Sequence, residues 1–469
     1  MINRPSTLIW KQKMSSDRLT LSAWVYFSIC LLAIVSAFVE SPQLNLITVG
    51  LILFFLVLQF SAIPSKQRIA GLTLFAIGIF AAFESDTLRE TLIDGVARSR
   101  MFLLLFFAVA WLQLPVGQSP SLKSARDAIM NQPPGRRFLG LSIGVHILGA
   151  LLNVAAVGLL SPLLKDRSDE VLHRRLSVAI MHGFTSASAW SPFYIGMIVV
   201  LVAIPTISWS EVVFQGLAMA VIMILGGWLF DRMRYPRKKV LTSEQPNVPP
   251  RPPLKIVKTV LLLASLIGLV MLVLNLTKVS IPIALGIVCP PFGLIWYVTL
   301  GERQFGTIDR LSSMSHQVIS SLANLRNEAL MFVAANVFGI GIATIIPTEN
   351  LTAQLDAVLP WIDARIIAIT TIFIGCGLMG LHPVIVVLSL SALIPPEVIG
   401  MRDWVLGLVY LGCWGLSTMI SPYSGTTLFM SRFTGVPSHI IGWKWTPYSV
   451  FFNAVLMMAF IIALRHATL

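Results

Sequence analysis

Ser188-Ala-Trp-Ser-Pro-Phe-Tyr-Ile-Gly196 stands in the middle of an apolar run at 176–204, and Ser417-Thr-Met-Ile-Ser-Pro-Tyr-Ser-Gly425 stands in the middle of another at 404–430. Each places Ser-Pro, an aromatic residue and a Gly where an unbroken helix needs every backbone hydrogen bond. Pro192 and Pro422 have no N–H to donate and clash with the preceding turn, so both runs are predicted to break there. Gly196 and Gly425 let other backbone come close. The two stretches read as twins, which makes the chain a duplicated membrane protein with its binding site at the breaks.

Composition agrees with a membrane setting. Of 469 residues, 56% are hydrophobic and only 12% charged, and the apolar runs repeatedly reach bilayer-spanning length. The formal net charge of +13 does not point to nucleic acid, because Lys and Arg are confined to short segments between apolar runs, as in cytoplasmic loops. Cys30, Cys289, Cys376 and Cys413 form no CxxC pair and have no His at ligand spacing, so neither disulfide nor metal is implied, and no cofactor.

Outward from the breaks, charge fixes the topology. Residues 1–43 read as a cytoplasmic segment and first span, retained as an anchor, and runs at 44–63, 69–83 and 101–115 follow, with 84–100 a mixed connector. The stretch 138–164 is the first decision. As a single span it would put Lys165, Arg167, Arg174, Arg175 and the basic loop 231–255 outside, against the positive-inside rule; as a re-entrant hairpin it keeps them cytoplasmic. The loop itself carries Pro246, Pro249, Pro250, Pro252 and Pro253, an extended linker between a first repeat at 44–230 and a second at 256–469. In the second repeat 364–395 is too long and too interrupted by Gly375, Gly377, Gly380 and Pro383 for a plain helix, and symmetry makes it a second hairpin entering from outside. The expected localisation is multi-pass in a cell membrane, the inner one in a bacterium, with the N-terminus cytoplasmic and the C-terminus outside.

The spacing repeats as well. Asn153 precedes Ser191 by 38 residues and His382 precedes Ser421 by 39. The order of parts is the same in both halves: hairpin, connector, broken helix, closing span. The expected fold is all-α, about 11 transmembrane helices with two opposed re-entrant hairpins in an inverted-topology repeat, the fifth and tenth helices broken.

This layout resembles the ion transporter superfamily, which includes divalent-anion/sodium symporters, arsenite pumps and the large subunits of tripartite periplasmic transporters. Symporters of that group carry Ser-Asn-Thr at both hairpin tips. The matching positions here are Leu152-Asn153-Val154 and Leu381-His382-Pro383, so only Asn153 carries over. The resemblance implies secondary transport by alternating access, the hairpin tips and broken helices moving against the remaining spans, and a homodimer.

The residue types at the breaks suit a small anionic solute. A helix interrupted in hydrocarbon offers free N–H groups at one half and free carbonyls at the other, which attract anions and cations respectively. Around these ends stand Ser186, Ser188 and Ser191 in one half and Ser417, Thr418, Ser421, Ser424, Thr426 and Thr427 in the other. His382, at the second tip, is either an anion-pairing or proton-coupling imidazole or a neutral ring bonded to backbone; His146 and His182 are expected to pack. Coupling to Na+ or H+ is open, as is a separate soluble binding protein that feeds the membrane subunit. A polytopic glycosyl or acyl transferase, the reading from another class, needs acids at a bilayer face, and the short outer loops offer only Glu84, Asp86, Glu349, Asp356 and Asp363, scattered.

Overall fold

A computed structural model describes residues 6–120, 137–152, 164, 169–236, 253–300, 306–345, 351–394 and 396–468, and every regular element among them is a helix. Eight of these helices are long and apolar enough to cross a membrane, nine if the pair Leu351–Val358 and Ile362–Leu378, bent by 96°, counts as one. Shorter apolar helices include Leu19–Val35, Phe138–Ala150, Ala264–Thr277 and Pro383–Leu393. The chain is an all-α polytopic membrane protein.

It forms two compact units, Met1–Pro115 with Leu266–Ile346 and Val116–Ser265 with Pro347–Leu469. Each therefore takes chain from both sides of the proline-rich linker, so the repeats of the sequence and the units of the fold are different divisions.

The first unit is built on close backbone contact between Ser65–Glu84 and Arg326–Ile345. A side chain at Gly78 would meet the backbone of Val337 and Phe338, and one at Gly341 would meet the Gly78 carbonyl. Small residues permit this approach where lipid offers no hydrophobic drive to pack helices. The connector 84–100 is largely helix Leu88–Arg98, which runs into Arg100–Gln118 at the buried Ser99. An element the apolar runs did not reveal is Thr307–Leu322. It buries Met314, Val318, Ile319 and Leu322 and turns Asp309, Ser312, Ser313, His316 and Gln317 outward, a helical period with too few apolar residues to register as a span.

The second unit holds both broken helices, and residue pairs fix the directions of its parts. Ser142 donates to the Ala179 carbonyl (2.9 Å), His146 bonds Ser186 (2.9 Å) and Ser191 donates to the Ala150 carbonyl. Residue numbers rise together, so Arg137–Leu152 runs parallel to Glu170–Ser186. In the second half the Arg365 guanidinium donates to the Ile399 carbonyl, Cys413 lies 3.7 Å from Thr370, and Gly377 faces Ser417. Ile362–Leu378 thus runs parallel to Asp403–Ile420. Consecutive membrane spans alternate in direction, and these two pairs do not.

Between the halves the sense is reversed. Ser188 donates to the Leu411 carbonyl (3.1 Å) while Gly415 sits against the Thr185 carbonyl, so the two broken helices cross antiparallel. Trp209–Arg234 and Pro447–Ala467 are antiparallel too, the Phe230 ring meeting Phe452 at a tilt and Gly226 meeting Asn453 and Leu456.

Candidate functional site

The breaks share one backbone design. Ser191 and Ser421 donate their N–H groups to the carbonyls of Ala187 and Ser417, each at 3.0 Å. Three residues on, Tyr194 and Ser424 donate to the carbonyls of Ser191 and Ser421, at 3.2 and 3.5 Å. The hydroxyl of each serine accepts the N–H two residues ahead, Phe193 at 3.2 Å and Tyr423 at 3.4 Å. A Ser side chain bonding its own backbone in this way offers an alternative to the helix ladder, and the following Pro removes the donor that would resist it. In this register Ile195, rather than Gly196, matches Gly425 as the first residue of the second half-helix.

Most hydroxyls gathered at the breaks are engaged with backbone. Ser186 donates to Gly183, Ser188 to Thr185 and Leu411, Thr418 to Gly415, Ser424 to Thr418 and Thr427 to Ser421. Breaking a helix in hydrocarbon strands carbonyls that only the protein can satisfy, and these side chains do so. Two are different. The Ser417 hydroxyl is buried without a partner among the described residues, and Thr426, also buried, makes no side-chain hydrogen bond among them. Asn153, the one tip residue shared with the symporter motif, lies outside the described residues.

His146, expected only to pack, is a bridge. Its Nε2 accepts from the Trp190 indole N–H at 3.0 Å, and since that group can only donate, the ring proton belongs on Nδ1, which faces the Ser186 hydroxyl at 2.9 Å. Trp190 immediately precedes Ser191 and its carbonyl accepts from the Trp209 indole at 2.7 Å, so this net braces the first break. Nothing in spacing foretells it, because His146 and Trp190 meet only when the two helices run parallel. His182 is buried against Gly227, with Nε2 unpartnered among the described residues.

His382 caps Pro383–Leu393. Its Nδ1 accepts the Val384 N–H at 3.3 Å, which fits the neutral ring bonded to backbone, and its edge meets the Trp414 ring at 6.0 Å and 87°. Trp414, fully buried, also lies against Gly196, so one indole joins the second tip to the first broken helix.

The twins differ in one respect. Around the first break Ser191, Pro192, Phe193, Tyr194 and Gly196 are all buried, with Trp414 over the glycine and Ser191 tied to Ala150. At the second, Tyr423 is 57% exposed and a side chain at Gly425 would meet nothing within 4 Å. Gly380, held at φ 87° in the turn before His382, lies against the Tyr423 ring. Ser424 caps helix Gly425–Thr434 by accepting from Thr427, so the N–H groups of Gly425 and Thr426 are the ones left without an intrahelical partner at the positive end of the helix dipole. This arrangement can hold a carboxylate or oxyanion. Among the described residues no three His, Cys, Asp or Glu stand together as a metal site.

No known protein family matches the chain, and no curated protein does. Solved structures similar in shape include two transport proteins. The YdaH transporter of Alcanivorax borkumensis shares 14% identity over 81% of this chain and 89% of its own, with a TM-score of 0.46. MtrF of Neisseria gonorrhoeae, described as illuminating a class of antimetabolite efflux pumps, shares 12% over 81% and 85%, with a TM-score of 0.49.

Proposed function

We propose that this protein is a secondary active transporter of a small anionic solute, a carboxylate or oxyanion, that works by alternating access. The observation that carries the reading is the second break: two unpaired amides of Gly425 and Thr426 and the Thr426 side chain, opening beside Tyr423 and the His382 turn. A membrane protein gains nothing in stability from free N–H groups, so their retention is best explained by a ligand that pairs with them. The parallel arms support two re-entrant hairpins, and the antiparallel crossing of the broken helices supports an inverted repeat, the arrangement that lets one site face either side in turn. Coupling to Na+ or H+ belongs to the same proposal.

Purified protein is screened by thermal unfolding against mono- and dicarboxylates, phosphate and sulfate, with and without sodium and at two pH values. Any binder is then tested for counterflow in proteoliposomes. A ligand at one hundred times its Kd raises stability by about 2.7 kcal/mol, a clear shift. Absence of any shift across the panel, with no flux of any member, overturns the proposal.

A further inference from the structure

One end of the second unit is strongly basic. There the start of Glu170–Ser186, the end of Trp209–Arg234 and the turn into Pro447–Ala467 enclose a narrow cleft of about 30 Å³ lined by Arg174, Arg175, Asp231, Arg234 and Tyr448. Arg175 is already neutralised: its Nε and Nη2 donate to the two Asp231 oxygens at 2.8 and 2.7 Å. Among the described residues Arg174, Arg234 and Lys444 form no ion pair. Arg174 is anchored through Nη2 alone, to the carbonyls of Lys444 at 3.0 Å and Trp445 at 3.2 Å. Those carbonyls sit in the π-helical turn Ile441–Trp445, a form that recurs at functional sites. Arg234 is exposed and overlies the Tyr235 ring at 5.8 Å, and Lys444 is exposed and held to Arg174 through its carbonyl.

The surface next to the cleft is apolar. Phe230, which also lines the cleft, meets Phe452 at 5.9 Å, and Tyr448, Phe451 and Val455 follow along the outer side of Pro447–Ala467 at 73, 46 and 60% exposure. A pre-set arginine with two further unpaired cations, at the foot of an exposed apolar seam, matches a molecule with an anionic head and a long apolar tail. The charge assigns this end to the cytoplasmic leaflet, where anionic lipids attract such clusters.

We propose that the cleft binds an anionic phospholipid, its headgroup phosphate bridging Arg174, Arg234 and Lys444 across the mouth while an acyl chain lies along Tyr448, Phe451 and Val455. The proposal does not depend on the solute site. The test uses purified full-length protein and compares, by native mass spectrometry and thermal unfolding, added phosphatidylglycerol, phosphatidylcholine and inorganic phosphate. Wild type is expected to favour phosphatidylglycerol over phosphatidylcholine, and each of R234Q and K444Q to lower that preference by about fivefold. Both side chains are exposed, so the variants should fold; R89Q, an exposed cation in the first unit, should keep the full preference. An undiminished preference in R234Q/K444Q, or a stabilisation that phosphate alone reproduces, overturns the proposal.

Discussion

Replacing Gly196 and Gly425 in turn by Ala should separate what the two breaks do. A methyl group at Gly196 would lie 2.8 Å from Cγ and Cδ2 of Trp414 and 3.0 Å from Cδ1. Carbon atoms in contact prefer about 3.5–4.0 Å, so the indole has to retreat by roughly 0.7–1 Å. It is 1% exposed and wedged against the His382 edge, so the retreat strains a filled core, at about 1–3 kcal/mol. Alanine's better helix propensity returns up to about 1 kcal/mol. A net loss near 1–2 kcal/mol corresponds to a fall in Tm of about 2–4 °C for unfolding of the second unit. At Gly425 the same methyl meets nothing within 4 Å and the backbone is helical, so no strain arises. The Tm of G425A should stay within about 1 °C of wild type or rise. What changes is access to the Gly425 and Thr426 amides: one extra methyl in a pocket costs about 1–3 kcal/mol, a fall in affinity of roughly 5- to 150-fold. Tryptophan-monitored unfolding in detergent, with and without the best ligand of the panel, measures both effects. The assignment fails if G425A lowers the Tm as far as G196A, or binds the ligand as tightly as wild type.

Other substitutions discriminate further. H146F should destabilise by about 1–3 kcal/mol because it leaves the Trp190 indole and Ser186 without their partner, while H146Q, which can both accept and donate, should recover much of that loss in the same unfolding assay. G380A forces a side chain into the left-handed region and against Tyr423, and should cost at least about 1–2 kcal/mol with a visible change in tyrosine environment. T426V preserves shape and removes a hydroxyl with no internal partner, so it should leave the Tm unchanged and weaken ligand binding; S191A should do the reverse, lowering the Tm by about 1 kcal/mol equivalent while binding persists.

The breaks were legible because proline, glycine and serine act locally: the backbone hydrogen bonds that end one half-helix and begin the next all fall within seven residues of Ser191 and Ser421. Charge reached one step further, favouring a hairpin for 138–164, of which 153–163 lie outside the described residues; Arg137–Leu152 itself runs parallel to Glu170–Ser186. Sequence was silent where contacts are long-range and directional. The His146–Trp190 bridge spans 44 residues, and Trp414 meets both Gly196 and His382 only after two antiparallel helices have crossed. Thr307–Leu322 was missed for a different reason, since its apolar residues form only one narrow face and Ser and His fill the other, so no apolar run appears in the sequence.

The fate of the hydroxyls sharpens what kind of solute the second break can select. Ser186, Ser188, Ser191, Thr418, Ser424 and Thr427 all point their protons at carbonyls that the breaks and crossings would otherwise strand in hydrocarbon. Withdrawing one to hold a ligand would orphan its carbonyl, and a buried unsatisfied group costs about as much as the new bond returns. Groups free to bind at no such cost are therefore few: the two leftover amides of Gly425 and Thr426, which only donate, and the hydroxyls of Ser417 and Thr426. A sugar or other neutral polyol needs acceptors as well as donors around it. An anion needs donors alone and gains from the dipole of Gly425–Thr434, so the proposal of a negatively charged solute rests on how few hydroxyls at the breaks, those of Ser417 and Thr426, remain uncommitted.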